Sequence, residues 1–204
     1  MKYKTVLFDF FGVISSDVFY KNLRKDYLDV YKFIQENLFG SDNENITDKW
    51  MRGEIDYKDI NKHISDNTRI DYKLLLNKFI KSVEDININK ELINFAEKLE
   101  KLGIKTALVT DNMDVFDLII NKKHKFNKVF TLIINSYNYG MLKHEKNGKI
   151  LDITINKLGE KNYKETLLID DSEKVQKIFK AKGGNVYLYK NYNEFNSWAK
   201  KELV

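Results

Sequence analysis

The chain has 204 residues, 43% hydrophobic and 32% charged, enough apolar content to bury a core in one domain, or in a core with a modest insertion. No apolar run approaches the roughly 20 residues that span a bilayer, and the absence of cysteine excludes disulfides and thiolate metal sites, as expected of a cytoplasmic protein. The net charge of +5 comes from scattered lysines without an arginine-rich stripe, so a solvated surface is expected rather than a nucleic-acid face.

The first strand is expected over residues 3–8, an apolar run that stops at Asp9. Lys2 and Lys4 precede that run in the manner of a signal peptide, but Asp9 interrupts it and no clear small-residue cleavage site follows. From about Ser15 to Ile86 no strand pattern occurs. Leu23, Tyr27, Val30 or Tyr31, Ile34 and Leu38 share a face and predict one amphipathic helix. Leu74, Leu75, Phe79 and Val83 predict another, with shorter helices near Trp50 and Ile60. Ile88, Leu92, Phe95, Ala96, Leu99 and Leu102 mark a helix that Gly103 ends.

Further strands are expected over residues 105–109, 129–134, 166–169 and 186–189. Between the last two, Val175, Ile178 and Phe179 share a helical face that stops at Gly183-Gly184. Near-continuous apolar strands alternating with helices predict a parallel sheet covered on both faces, built from right-handed βαβ units. The expected fold is α/β: a Rossmann-like parallel-sheet core from residues 1–14 and 87–204, with an α-helical domain inserted over residues 15–86.

In such a sheet the ligand site lies beyond the carboxyl ends of the strands. The first strand ends at Asp9, the second at Thr110-Asp111-Asn112 and the fourth at Asp170-Asp171-Ser172, while the loop after the third holds Lys143. Carboxylates, a hydroxyl and a lysine on one rim suit a divalent cation and a phosphoryl group, and hard oxygen ligands suit Mg²⁺. His63, His124 and His144 have no metal-ligand spacing and are expected at the surface.

These stretches resemble the four motifs of the haloacid dehalogenase-like superfamily, in order and over most of the chain. FDFFGV resembles the first, LVTDN the second, GMLK the third (Gly140 three residues before Lys143) and LLIDDS the fourth. The resemblance implies that Asp9 is a nucleophile forming an aspartyl-phosphate. It implies that Thr110 and Lys143, with the Asp111-Asn112 turn, bind the phosphoryl group. It also implies that Asp9, the Phe11 carbonyl, Asp170 and Asp171 hold Mg²⁺. The helical insertion would be the family's cap, and the substrate a small phosphorylated metabolite.

Two features depart from the pattern. The loop after Lys143 is longer than usual and lacks a proline, which leaves Lys146 or Lys149 as alternatives for that lysine. More consequentially, the residue two after the nucleophile is usually an aspartate that serves as acid and base; here it is Phe11. That loss is worth typically 10²- to 10⁴-fold, with Asp17 as a conceivable substitute. Some members without this aspartate are thought to hydrolyse sugar phosphates. The expected activity is Mg²⁺-dependent phosphate-monoester hydrolysis; the alternatives are a non-enzymatic phosphate-ligand or phosphoprotein binder, and a metal-independent 2-haloacid dehalogenase, where an aromatic residue takes this place.

Overall fold

The computed structural model describes residues 2–40 and 46–203. Five strands, β1 (Thr5–Phe8), β2 (Lys105–Thr110), β3 (Leu132–Asn135), β4 (Thr166–Asp170) and β5 (Asn185–Leu188), form one parallel sheet in the order β3-β2-β1-β4-β5. β1 is central, with Leu7 beside Ala107 on one side and Leu168 on the other. Between β1 and β2 lie α1 (Leu23–Asp26), α2 (Leu28–Asn37), α3 (Ile46–Met51), α4 (Tyr57–Thr68), α5 (Tyr72–Glu84) and α6 (Lys90–Lys101). A π-helical turn at Phe116–Ile120 runs into α7 (Asn121–His124); α8 (Lys149–Lys157) precedes β4, α9 (Glu173–Ala181) follows it, and α10 (Tyr192–Glu202) ends the chain.

The apolar strands are explained by cover on both faces. Leu7, Ala107, Val109 and Leu168 pack with Leu151, Ile155 and Phe179 in one cluster. Val6, Phe8, Leu108 and Ile169 face Leu92, Ala96 and Phe195, and that cluster continues into the insertion. Helix starts are set by side-chain caps: Asn89 accepts from the Glu91 and Leu92 N–H groups, and Ser172 from Val175. Gly103 ends α6 at φ +79°.

Several boundaries differ from expectation. The single helix expected through Leu23 and Leu38 is two, because Tyr27 (φ −139°, ψ 55°) leaves the helical region. Lys78 of α5 sits over the Tyr27 ring at 5.6 Å and 3.4 Å from Asp26, so tertiary contacts meet at the break. The third strand starts at Leu132 rather than Val129, since Phe126–Lys128 forms a 3₁₀ turn and Phe126 and Phe130 point into the core. Tyr3 is buried ahead of β1 rather than within it.

The insertion has its own aromatic centre: Trp50 and Phe79 are fully buried, with Phe19 and Tyr20 against Phe79. Its two connections to the sheet are tied together. Ser15 Oγ donates to the Asn87 carbonyl (2.8 Å) and the Asn89 N–H to the Ile14 carbonyl (2.7 Å). Among the described residues no helix is long and apolar enough to cross a membrane.

Candidate active site

The order β3-β2-β1-β4-β5 reverses direction at β1, so the crevice of this sheet opens beyond the ends of β1, β2 and β4. Asp9 is the first residue past β1, and its N–H still bonds the Ile169 carbonyl (3.0 Å), which fixes it at the rim. It is 7% exposed. One carboxylate oxygen accepts the Phe10 N–H (2.7 Å); the other lies 2.7 Å from Lys143 Nζ. The same ammonium is 2.7 Å from Asp170 Oδ2, and Asp170 is fully buried. Its second oxygen caps the Ser172 N–H (2.8 Å), and its carbonyl accepts from Gln176 Nε2 (2.7 Å).

Lys143 reaches the site from a loop held by Asp111, whose carboxylate accepts the Lys143 N–H (2.8 Å). Lys143 is 2% exposed, whereas Lys146 and Lys149 are exposed, so of the three lysines Lys143 is the one inside the site. Asp111 carries the wrong charge for a phosphoryl oxygen, and its side chain serves to position that loop.

The turn after Asp9 is built by the Phe10 carbonyl, which accepts the N–H groups of Val13, Ile14 and Ser15. None of the backbone bonds of this turn uses the Phe11 carbonyl. Gly12 sits at φ +81°, and a Cβ there would meet Asp171 Oδ2 at 1.9 Å, so only glycine lets that carboxylate fold against the turn. Asp9, Asp170 and Asp171 thereby offer one oxygen each, all within 4.8 Å of one another.

The electrostatics are unbalanced. Burial pushes the Asp9 carboxyl up to about 8, although Lys143 draws it down. Burial also raises Asp111, and burial together with the Asp170 charge raises Asp171. Burial alone would lower the Lys143 ammonium, but Asp170, Asp9 and Asp111 outweigh it and push it up, so it stays charged. Four carboxylates face one ammonium. Three hard oxygen donors in that excess of negative charge fit a small divalent cation such as Mg²⁺.

Beside them at the end of β2 lie two orphaned donors. The Thr110 hydroxyl and the Asn112 side-chain nitrogen are buried and have no hydrogen-bond partner. Each such group costs about 1–3 kcal/mol unless something satisfies it. Thr110 and Asn112 lie at the end of the neighbouring strand, while Asp9, Asp111, Lys143, Asp170 and Asp171 converge. The histidines do not: His63 stacks on Phe33, His124 on Phe126, and none joins the acidic cluster.

The expected acid–base position holds an aromatic ring. Phe11 packs edge-on against Phe10 (5.0 Å) and Phe19 (5.3 Å). Asp17 does not replace the missing acid. Its carboxylate accepts from Lys21, the Asn87 N–H (2.8 Å) and Asn87 Nδ2 (3.0 Å), and these bonds outweigh burial to hold it below the usual carboxylate range. It locks the two connections of the insertion together as an anion.

Above the turn a cavity of about 470 Å³ opens between the sheet and the insertion. Phe11, Gly12, Asp111 and Met113 form its lower wall; Gln35, Phe39, Thr47 and Met51 form its upper one. Contacts that hold the insertion over this site were not foreseen from sequence. Trp50 Nε1 donates to Asp114 (2.8 Å), which also accepts the Tyr57 N–H (3.1 Å). Ser136 Oγ donates to the Met51 carbonyl (2.7 Å), and Arg52 Nε to Glu145 (2.9 Å), whose other oxygen accepts the Leu142 N–H (2.9 Å). The sequence signal for the first was an acid four residues past Thr110, but its partner lies 64 positions away.

No protein-family model matches the chain, and no curated protein matches it. Solved structures do. One described as a predicted HAD-like family hydrolase from Porphyromonas gingivalis is 17% identical over 100% of both chains, with a TM-score of 0.76. A HAD family enzyme from Bacteroides thetaiotaomicron, in complex with magnesium and inorganic phosphate, is 19% identical over 91% of this chain and 93% of that one, with a TM-score of 0.70. The L-2-haloacid dehalogenase from Xanthobacter autotrophicus with chloropropionic acid covalently bound is 12% identical over 90% and 76%, with a TM-score of 0.62. With the parallel sheet and the inserted helices, these likenesses show that the chain has the haloacid dehalogenase-like (HAD) fold.

Proposed function

We propose that the protein is a Mg²⁺-dependent hydrolase of small phosphate monoesters that works through an aspartyl-phosphate at Asp9. The observation that carries this reading is the convergence of the Asp9, Asp170 and Asp171 oxygens within 4.8 Å, with Lys143 bridging the first two. A carboxylate oxygen of Asp9 attacks phosphorus and the bond to the leaving oxygen breaks. Lys143, the Thr110 hydroxyl and the Asn112 amide hold the phosphoryl oxygens as charge moves between attacking and leaving groups. Asp9, Asp170, Asp171 and the Phe11 carbonyl would hold Mg²⁺, which when bound offsets the repulsion between the carboxylate and the phosphoryl oxygens. The insertion acts as a cap that excludes water and selects the leaving group. The magnesium and phosphate of the Bacteroides enzyme support the reading by analogy.

Acetyl phosphate tests it, being small and needing no proton on its leaving group. Phosphate release that requires Mg²⁺, stops with EDTA and falls to background in Asp9→Asn is expected. Equal rates for wild type and Asp9→Asn would overturn the reading; inorganic phosphate bound without turnover would then point to a binder. The aromatic Phe11 beside an apolar cavity favours one other reading, a 2-haloacid dehalogenase, since halide needs no protonation. Its mark would be Asp9-dependent halide release from 2-chloropropionate in EDTA.

A further inference from the structure

We infer that the substrate's leaving group is an apolar aromatic hydroxyl, so that the substrate is an aryl phosphate. This rests on the phosphate-monoester reading and narrows it. Two independent observations lead there.

The first is the proton inventory. Among the described residues, the acids lining the cavity are Asp17 and Asp111. Asp17 is fixed as an anion by Lys21 and Asn87, and Asp111, raised by burial, gives one carboxylate oxygen to the Lys143 N–H, which ties its side chain to that loop. Phe11 stands where a proton donor would be needed. When Asp9 attacks, the phosphorus–oxygen bond breaks with its electron pair on the leaving oxygen, which departs as an anion and takes its proton from solvent. A phenol-like oxygen bears that charge far better than an alkyl one. In the second step water attacks phosphorus, the Asp9–phosphorus bond breaks, the carboxylate is restored and the proton goes to solvent. Without a base at position 11 this step is slow.

The second is the shape and chemistry of the cavity. Phe11, Phe19, Phe39, Met51 and Met113 give aromatic edges and thioethers, surfaces that suit a flat ring. At about 470 Å³ it lies within the range of small-ligand pockets. A sugar here would leave several hydroxyls unpaired against that wall, which a binding site penalises heavily. Ser15, Ser16, Gln35 and Thr47 also line it, but the surface exposed to the cavity is overwhelmingly apolar.

A series of 4-acetylphenyl, phenyl and 4-methylphenyl phosphates, set beside glycerol 3-phosphate and glucose 6-phosphate, tests the inference. With Mg²⁺, kcat/KM should fall steeply as the leaving group becomes more basic and be at least about 100-fold lower for the alkyl esters. Rapid mixing should show a burst of phenol matching the enzyme concentration. Alkyl esters turned over as fast as aryl esters, a flat response along the aryl series, or no aryl turnover at all would overturn the inference. Acetyl phosphate run in parallel separates the failures: its Asp9-dependent turnover keeps the phosphatase reading when the inference falls, and its absence removes both.

Discussion

At residue 11 a single side chain separates two readings of the site. In the proposed function Phe11 takes the place of a proton donor, while its carbonyl, which no backbone bond of the turn uses, would still serve the proposed cation site. Phe11→Asp should restore that donor. Because Phe11 faces a cavity rather than a filled core, the new carboxylate has room. Turnover of glycerol 3-phosphate should rise by about 10- to 100-fold, within the range of acid–base catalysis, and the phenol burst should vanish as the second step speeds up. Steady-state and rapid-quench rates for wild type and variant measure this. An unchanged burst would mean that position 11 does not control the second step.

At the scale of elements, the sheet was legible because its strands are apolar on both faces, and the rim residues were legible because they sit at strand ends. Asp9, Thr110 and Asp170 stand at the ends of β1, β2 and β4, where the apolar runs stop, whereas Lys143 comes from a loop that only the motif resemblance singled out. What sequence did not show depends on contacts distant in the chain. The break at Tyr27 answers to α5; α8 and α10 escaped although Ile150, Leu151 and Ile155, and Phe195 and Ala199, carry helical spacing. The docking of the insertion was equally hidden, because Trp50 and Asp114 look like unrelated residues until the chain folds.

That docking supports a quantitative expectation. Trp50 is fully buried and its only polar group is spent on Asp114, whose carboxyl is raised by burial against the bonds from Trp50, Tyr57 and Val115. Trp50→Phe leaves a buried carboxylate short of a donor and should cost about 1–3 kcal/mol. In a cycle with Asp114→Asn, urea unfolding should show coupling above about 0.5 kcal/mol. Additive losses would mean that the contact does not hold the insertion down.

Across the whole molecule the charge is uneven: a chain of net charge +5 gathers four carboxylates around one ammonium at the end of its sheet. The consequence for stability can be worked out with its sign. The folded Asp9 carboxyl stands at about 8, above its unfolded value near 3.9, so the folded state holds a proton that the unfolded state releases. That contribution is complete below the unfolded value and is lost as pH rises through 8. Lys143 is raised above its ordinary range, so its contribution is constant over this window. His124 is lowered by burial and works in the opposite direction, but only below about 6.5. Between pH 7 and 8.5 Asp9 therefore dominates, and unfolding in EDTA should lose about 1 kcal/mol, a drop of roughly 2–4 °C in Tm for a chain of this size. Mg²⁺ should raise Tm with concentration and flatten the pH dependence, because a cation favours the ionised carboxylate that burial disfavours. Asp9→Asn should remove the slope in EDTA, and Asp171→Ala should weaken the Mg²⁺ response while keeping the slope. Thermal melts across that pH range separate the two effects; a metal response undiminished in Asp171→Ala would place the cation elsewhere, and the phosphoryl chemistry at Asp9 would lose its main support.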